Sequence, residues 1–543
     1  MKSISYPDID SFDPGLVRKL ALAAWGLSLP VLFLIYVGIF PSPDQLVFDV
    51  IAVVSLNGGH YYSDLFEINW PGKMVLHDLA LRIFGVHLWS FRAFDFLLMQ
   101  IIAWHGFLLL RRSGVGHFAY LFPLLGPILY ITAGGWMAGQ RDIIATGLCL
   151  SASFWMMPGI KRERLSVFAA GGIVGFAFLV RPTYLAFAVG LIILEFLRKS
   201  DEVSPGLAPL RRAGFFLLGF CAVPALAVLL GLIHGNLDEF VHQAISFSTD
   251  GYQKPEPRGA NILRSVNYAV GSWHWIVLLA LGGAFLWAKE SNWRQFRLPR
   301  PFLMIAGLTA TIIVSFLAMN KGFEYHVGGL LWIFPFLICV LLDRLNSNAQ
   351  RSSTKKLYWF AALTGSLGLM ALGSAAKLEN YIWTVPQTLR LQPYDGQDIP
   401  GGADFADRLA SARFVRSQTG EDETVLVWGR SYDLITLSGR QPSSRFLSAY
   451  QLIAMDETVP IEAGWLGEFE RGLEDRPPSF VYLDTTFFDP RMPLDGPRAD
   501  HPAVIGLYRT LGETFEVVRE EGSYLLLRNT ATSDRPSSVE PQG

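Results

Sequence analysis

Charge is scarce in this chain. Asp, Glu, Lys and Arg supply 17% of its 543 residues, where soluble domains carry about 25%. The deficit is concentrated in long apolar runs, which excludes an ordinary soluble globule. Cysteine is scarcer still. Cys149, Cys221 and Cys339 each fall inside an apolar run, so no disulfide framework is implied. The chain has no Walker motif, no Gly-rich dinucleotide fingerprint after a strand, no HExxH and no nucleophile elbow. Their absence argues against ATP-driven transport and zinc proteolysis. A net charge of -2 with no basic stripe gives no footing for a nucleic-acid partner. Neither an internal repeat nor a low-complexity tract is visible.

Apolar runs dominate what is there. They cover residues 19–40, 88–110, 117–133, 143–158, 165–180, 183–197, 213–233, 270–288, 301–319, 327–342 and 357–376. Several reach the ~20 residues a bilayer-spanning helix needs, and together they predict about eleven transmembrane helices. The first is too long for a cleavable signal and lacks a small-residue cleavage site. Basic residues recur at alternate turns: Arg18-Lys19, Arg111-Arg112, "KRER" at 161–164, and the segments 198–212, 289–300 and 343–356. Cytoplasmic loops collect Lys and Arg, so the N-terminus is expected inside and everything after residue 376 outside. Glu195, near Arg198 and Lys199, reads as an ion pair at a cytoplasmic helix end.

The outer ends carry a different chemistry. "PSPDQLVFD" holds Asp44 and Asp49, and "GGHYYSDLFEINWPGK" (58–73) holds His60, Tyr62, Asp64 and Glu67. "GGWMAGQRD" holds Gln140, Arg141 and Asp142. "RPTY" holds Arg181, and "NKGFEYHV" holds Lys321, Glu324, Tyr325 and His326. Arg141, Arg181 and Lys321 sit in short outer hairpins, where positive charge is disfavoured, and so point to an anionic ligand. A local Arg141–Asp142 pair orienting the hairpin is the competing reading.

The expected organisation follows. Residues 1–16 form a cytoplasmic lead and 17–376 a membrane domain. Residues 41–87 form a first outer loop with two interfacial helices, "DQLVFDVIAVVSLNGG" and "PGKMVLHDLALRIFG". The aromatics between those helices read as membrane-interface anchors. From about 377 to 530 the composition becomes soluble. "ETVLVWG" and "SFVYLDT" read as strands, "ADRLASARFVRSQTG" and "HPAVIGLYRTLG" as helices stopped by Gly, and "TFEVVREEGSYLLLRN" as a closing β-hairpin. This is a small α/β domain, with a tail at 531–543 expected to be disordered. Trp428 reads as a packed strand end in preference to a sugar-stacking residue.

The order of these features resembles the GT-C superfamily of polyprenyl-phosphate-sugar-dependent glycosyltransferases. That group includes the protein O-mannosyltransferase type and the bacterial aminoarabinose-lipid A transferase type. The features are an outer Asp after span one, an aromatic "G-x-x-Y-x-D" loop ending in Pro-Gly, "FGVHLWSFRAFDFLL", an outer "QRD", an "RPT" joint, and "GFEYHVGGLLWIFPFLI". The resemblance implies a polytopic α-helical membrane protein, GT-C-like, with outer juxtamembrane helices and a C-terminal soluble α/β domain. It also implies an inverting transfer from a polyprenyl-phosphate sugar donor to a lipid, polysaccharide or protein acceptor of the cell envelope. Membrane lipids are its surroundings, and a bacterial inner membrane its place, with the C-terminal domain periplasmic. By the same resemblance Asp44 is the general base, and Asp64 positions the acceptor or a divalent cation. Arg141, Arg181, Lys321 and His326 then meet the donor phosphate, while Tyr62, Glu67, Asp142 and Tyr325 line the site. No metal ligands are assigned. Many members carry Asp-Glu where this chain has Asp44-Gln45. The rival reading is a secondary transporter or flippase of an amphipathic lipid, which would place ionisable groups near the bilayer midplane.

Overall fold

The structure, a computed structural model, describes residues 14–39, 41–197, 209–248, 258–290, 299–319, 323–351, 402–447, 460–486 and 501–532, with a few single positions between them. The cytoplasmic lead up to residue 13, Arg198, Lys199, Lys321, the apolar run 357–376 and the tail from 533 lie outside the described residues. The chain forms two compact units. One comprises Met1–Ile39, Asp95–Leu226 and Glu256–Ile382. The other comprises Phe40–Phe94, Ala227–Pro255 and Trp383–Gly543.

The first unit is helical. Each apolar run up to residue 342 lies within a helix or helical turn, in order α1 (Pro14–Gly38), α4 (Ser90–Arg112), α5 (Phe122–Thr132), α6 (Arg141–Trp155), α7 (Glu163–Val180), α8 (Leu185–Phe196), α9 (Pro209–Ile233), α11 (Arg258–Glu290), α12 (Arg300–Met319) and α13 (Leu330–Arg351). Among the described residues six helices are long and apolar enough to cross a membrane, and His117–Thr132, Pro182–Phe196 and Ile276–Lys289 are shorter apolar ones. Leu218, Leu226 and Leu229 of α9 are exposed. Such a surface suits lipid and not water.

Where helices meet, small residues allow it. A Cβ on Gly171 or Gly175 of α7 would run into the carbonyls of Phe216 and Phe220 of α9, and one on Gly219 into that of Phe168. Lipid tails are as apolar as leucine, so close backbone packing of this kind, and not hydrophobicity, joins helices in a membrane. Polar contacts add direction. The Asp95 carboxylate accepts hydrogen bonds from the hydroxyls of Tyr36 and Tyr130, and the Tyr184 hydroxyl donates to the Asp142 carbonyl (3.0 Å).

The second unit joins three stretches of sequence. Helices α2 (Pro43–Leu56) and α3 (Pro71–Phe84) each begin on a proline, whose fixed φ suits a first turn. α3 ends at Gly85, where φ is +81°. The C-terminal part is a five-stranded sheet of order β2-β1-β3-β5-β4, in which β2 is the short edge strand Gln441–Pro442. β1 (Thr424–Trp428) and β3 (Phe480–Asp484) are parallel and buried along their whole length, as their unbroken apolar sequences require. β4 (Phe515–Glu521) and β5 (Tyr524–Asn529) form the expected antiparallel hairpin, with an irregularity at Val517/Arg519 on the edge strand. Helices α14 (Gly402–Gln418), α15 (Asp433–Ser438), α16 (Pro460–Asp475) and α17 (Pro502–Thr514) accompany the sheet. α17 continues past Gly512 for two residues, so that glycine is not its stop.

The loop after α2 is not a membrane-interface anchor in its aromatics. Tyr62 and Phe66 are buried in protein. Phe66 packs against Phe446, Trp465 and Phe247 at ring distances of 5.3, 5.0 and 5.6 Å. The Phe66 amide donates to the Arg445 carbonyl (2.8 Å), and the Arg445 guanidinium donates to the Tyr62 carbonyl, Glu239 and Glu468. Their place between two amphipathic helices suggested interface anchors, because aromatic burial in protein and at a membrane interface have the same sequence signature. Trp428 is buried, as a packed strand end should be.

Adding one methyl group tests the helix contact. Gly171→Ala forces the α7 and α9 backbones apart and is expected to cost about 1–3 kcal/mol. Gly214→Ala meets open space and should gain up to about 1 kcal/mol of helix propensity. Thermal unfolding in lipid nanodiscs reads both, and equal shifts would refute the packing account.

Candidate functional site

In the helical unit the expected residues gather. Arg181 follows the last residue of α7, where Pro182 forces extended backbone. Asp142 sits in the first turn of α6 behind Gly139 (φ +74°), where a negative charge suits the helix dipole. His326 belongs to the turn Glu324–Val327 before α13. Arg181 Nε donates to Asp142 Oδ1 (3.1 Å), and His326 Nδ1 lies 3.0 Å from Arg181 Nη2 and 3.2 Å from Asp142 Oδ2. All three side chains are at most 3% exposed. Asp142 is thus tied to Arg181 across 39 residues of sequence, with the neighbouring Arg141 charge also acting on it.

His326 Nε2 is buried and has no partner among the described residues. Tyr325 stacks on Phe323 (5.4 Å) and meets the edge of Trp136 (5.7 Å). Trp136 and Phe323 are each 38% exposed. The cluster thus combines a fixed guanidinium, an imidazole with one open nitrogen, and exposed aromatic faces. Lys321, assigned to the same group, is outside the described residues. Trp136 was not singled out from sequence, although it stands in the same hairpin as Arg141.

The remaining expected residues belong to the second unit. Asp44 is half-buried in the first turn of α2, just after Pro43. It has no hydrogen-bond or ion-pair partner among the described residues, so its carboxylate is available. Asp64 is exposed, and its Oδ2 accepts from the His60 amide (2.6 Å). Glu67 is buried and accepts from the Asn69 amide (2.9 Å) and side chain (2.5 Å). The Tyr62 hydroxyl donates to the Asn69 carbonyl (2.7 Å). Glu67 and Tyr62 therefore spend their polar atoms on the loop itself. No group of three or more His, Cys, Asp or Glu suited to a metal occurs among the described residues.

A cluster between α2 and α3 escaped sequence reasoning. His77 Nδ1 lies 2.7 Å from Asp49 Oδ1, and the His77 ring stacks on Phe91 at 3.6 Å. The Lys73 ammonium lies 3.6 Å from the centre of the same Phe91 ring. Asp49, Lys73, His77 and Arg92 are all buried. The signal was present. Lys73 and His77 are four residues apart and share a helix face with apolar Met74 and Leu81. Burial pushes the Asp49 carboxyl from 3.8 up to about 8, against the pull of Lys73 and Arg92. Burial, helped by the same two cations, holds the His77 imidazole well below 6.5. The pair is neutral near neutral pH.

The fold is similar to that of two solved ArnT structures. The chain is similar to ArnT, the aminoarabinose transferase, from Cupriavidus metallidurans, in the structure solved with undecaprenyl phosphate. The TM-score is 0.56 at 15% identity, over 96% of this chain and 98% of that one. The apo structure of the same enzyme gives 0.54 at 14% identity, over 95% and 100%. An oligosaccharyltransferase from Archaeoglobus fulgidus, solved with zinc and sulfate, gives 0.44 at 13% identity, over 84% and 68%. No family model and no curated protein matches the sequence. The chain is an integral membrane protein of that fold.

Two expectations follow from the buried groups. Arg181→Gln strands the Asp142 carboxylate without its counter-charge and should cost about 3–5 kcal/mol; adding Asp142→Asn should restore most of it. A double-mutant comparison of unfolding in nanodiscs measures this, and additive losses would contradict it.

The folded protein keeps an Asp49 carboxyl proton that the unfolded chain loses above 3.8, so this stabilisation is full below 3.8 and lost as pH rises through about 8. The unfolded His77 takes a proton below 6.5 that the folded one refuses, which opposes the first slope there. Unfolding temperature should therefore be flat from about pH 5 to 6.5 and fall from 6.5 to about 8. Asp49→Asn should remove that fall. The same fall in both proteins would contradict a neutral pair.

Proposed function

We propose that this protein is a glycosyltransferase that moves a sugar from a polyprenyl-phosphate donor to a cell-envelope acceptor. The observation that carries the proposal is the likeness, over 96% of the chain, to a structure solved with undecaprenyl phosphate. The acceptor hydroxyl attacks the anomeric carbon, the bond from that carbon to the phosphate oxygen breaks, and the configuration inverts. Asp44, whose carboxylate has no competing partner among the described residues, takes the hydroxyl proton. The polyprenyl phosphate leaves as an anion. Arg181, Arg141, Lys321 and His326 stabilise its charge, the guanidinium by paired hydrogen bonds. Asp64, Asp142 and Tyr325 position groups around the reaction. In this reading the acceptor is a lipid, polysaccharide or protein, and the reaction takes place at the outer face of an inner membrane.

The test uses the whole protein in nanodiscs with a panel of polyprenyl-phosphate sugars and cell-envelope extract, following release of polyprenyl phosphate. Wild type should release it with one donor, and Asp44→Asn should lose at least about 100-fold in rate, the range of a general base. Equal rates in both would move the base elsewhere. Movement of intact donor across the bilayer without release would replace the transferase by the flippase reading.

A further inference from the structure

At the end of α7 opposite Arg181 lies a second buried ionic cluster, which the transferase reading does not use. It joins four helix ends. Glu163 is in the first turn of α7, Glu195 in the last turn of α8, Arg212 in the first turn of α9, and Arg300 opens α12. Arg212 Nε donates to Glu195 Oε2 (2.9 Å), Arg212 Nη1 donates to Glu163, and Arg212 Nη2 donates to the Met156 carbonyl (2.7 Å). Arg212 is thereby satisfied on every side, and both it and Glu195 are completely buried. The expected partners of Glu195, Arg198 and Lys199, lie outside the described residues; its partners here are Arg212 and Arg300.

Arg300 is the unbalanced member. Its Nη2 donates to Glu195. Its Nε and Nη1 are buried without a hydrogen-bond partner among the described residues, although the side chain is only 10% exposed. Leaving buried guanidinium donors unmet costs more than a neutral orphan would. These donors also stand at the start of a 20-residue helix, where the backbone dipole favours an anion. α7 has 18 residues, or about 27 Å of rise, close to the ~30 Å hydrocarbon thickness. The Arg300 cluster therefore lies about one membrane thickness from Arg181, at headgroup depth on the other face.

We infer that Arg300 forms the core of a binding site for a phosphate group, supplied by an anionic lipid headgroup of the leaflet opposite the Arg181 cluster. The guanidinium keeps Glu195 through Nη2 and offers Nε and Nη1, which lie on opposite edges of its plane, as two separate charged donors to anionic oxygens. An inorganic phosphate ion has the same chemistry and is the alternative source. Occupation would tie α8, α9 and α12 together without touching the transfer reaction.

Native mass spectrometry of the full chain, delipidated and then titrated with phosphatidylglycerol or phosphatidylcholine of the same tails, tests this. Wild type should retain phosphatidylglycerol in preference to phosphatidylcholine. Arg300→Gln should lower that preference about tenfold, and Arg300→Lys, which keeps the charge opposite Glu195 but loses the planar array of donors, should fall between. Arg164→Gln, an exposed cation on the same side, should leave it unchanged. If Arg300→Gln does not fold, the decision passes to Arg300→Lys. Preference equal to wild type in whichever variant folds would overturn the site. Stabilisation of wild type, but not of the variant, by inorganic phosphate alone would support the site and assign its ligand to the free ion.

Discussion

A charge inside a membrane protein must be neutralised by a partner at fixed distance, and this constraint organises the helical unit. Hydrocarbon offers no compensating water, so an unpaired Arg or Asp there would be costly. The chain buries Arg181, Asp142 and His326 at one end of α6 and α7, and Arg212 and Glu195, with half-buried Glu163, at the other. Between those ends the contacts are apolar or glycine-mediated, and the close approach of Gly171 and Gly219 to facing carbonyls is what brings α7 and α9 within reach. The polar ends thus fix register and the glycine face fixes distance. Each would be weak alone.

The same principle acts differently in the second unit. There the loop Gly58–Lys73 is held by hydrogen bonds to groups far away in sequence. Gln243 Nε2 donates to the Tyr62 carbonyl (2.8 Å), its Oε1 accepts from the Glu67 amide (2.9 Å), and Arg445 reaches Tyr62, Glu239 and Glu468. Asp44 stands apart from this network. Its carboxylate is half-buried at a helix start and has no partner among the described residues. Beside it in sequence, the Asp49–His77 pair with Lys73 and Arg92 shows how much titratable chemistry α2 and α3 enclose.

Much of this was legible in the sequence, and the failures have physical reasons. Apolar runs gave the helices because span length is set by bilayer thickness. Pro43 and Pro71 marked the starts of α2 and α3, and the alternation after Thr514 gave the closing hairpin. Arg181 and His326 drew notice because cations in short outer loops are improbable without a ligand. Their shared partner Asp142 was expected to line the site, with a bond to its neighbour Arg141 as the competing reading; the bonds to Arg181 and His326 were not foreseen, since only local spacing is visible along a chain. The described partners of Glu195, Arg212 and Arg300, were invisible for the same reason, lying 17 and 105 residues away. Tyr62 and Phe66 were placed at lipid depth because a sequence does not say whether protein or lipid covers an aromatic ring. Lys73 was passed over because a single lysine on an apolar helix face looks like a snorkelling residue.

The central claim is that Arg181 is held by Asp142 so as to receive a phosphate. The most direct measurement is the affinity of undecaprenyl phosphate for nanodisc-embedded protein, comparing wild type, Asp142→Asn, and the charge-balanced double variant Arg181→Gln/Asp142→Asn. The account predicts binding in Asp142→Asn at wild-type strength or better, because Arg181 is released from its carboxylate, and a loss of about tenfold or more in the double variant, whose fold should be intact. Wild-type affinity in the double variant would contradict it, and would leave the Arg181 cluster a structural tie alone.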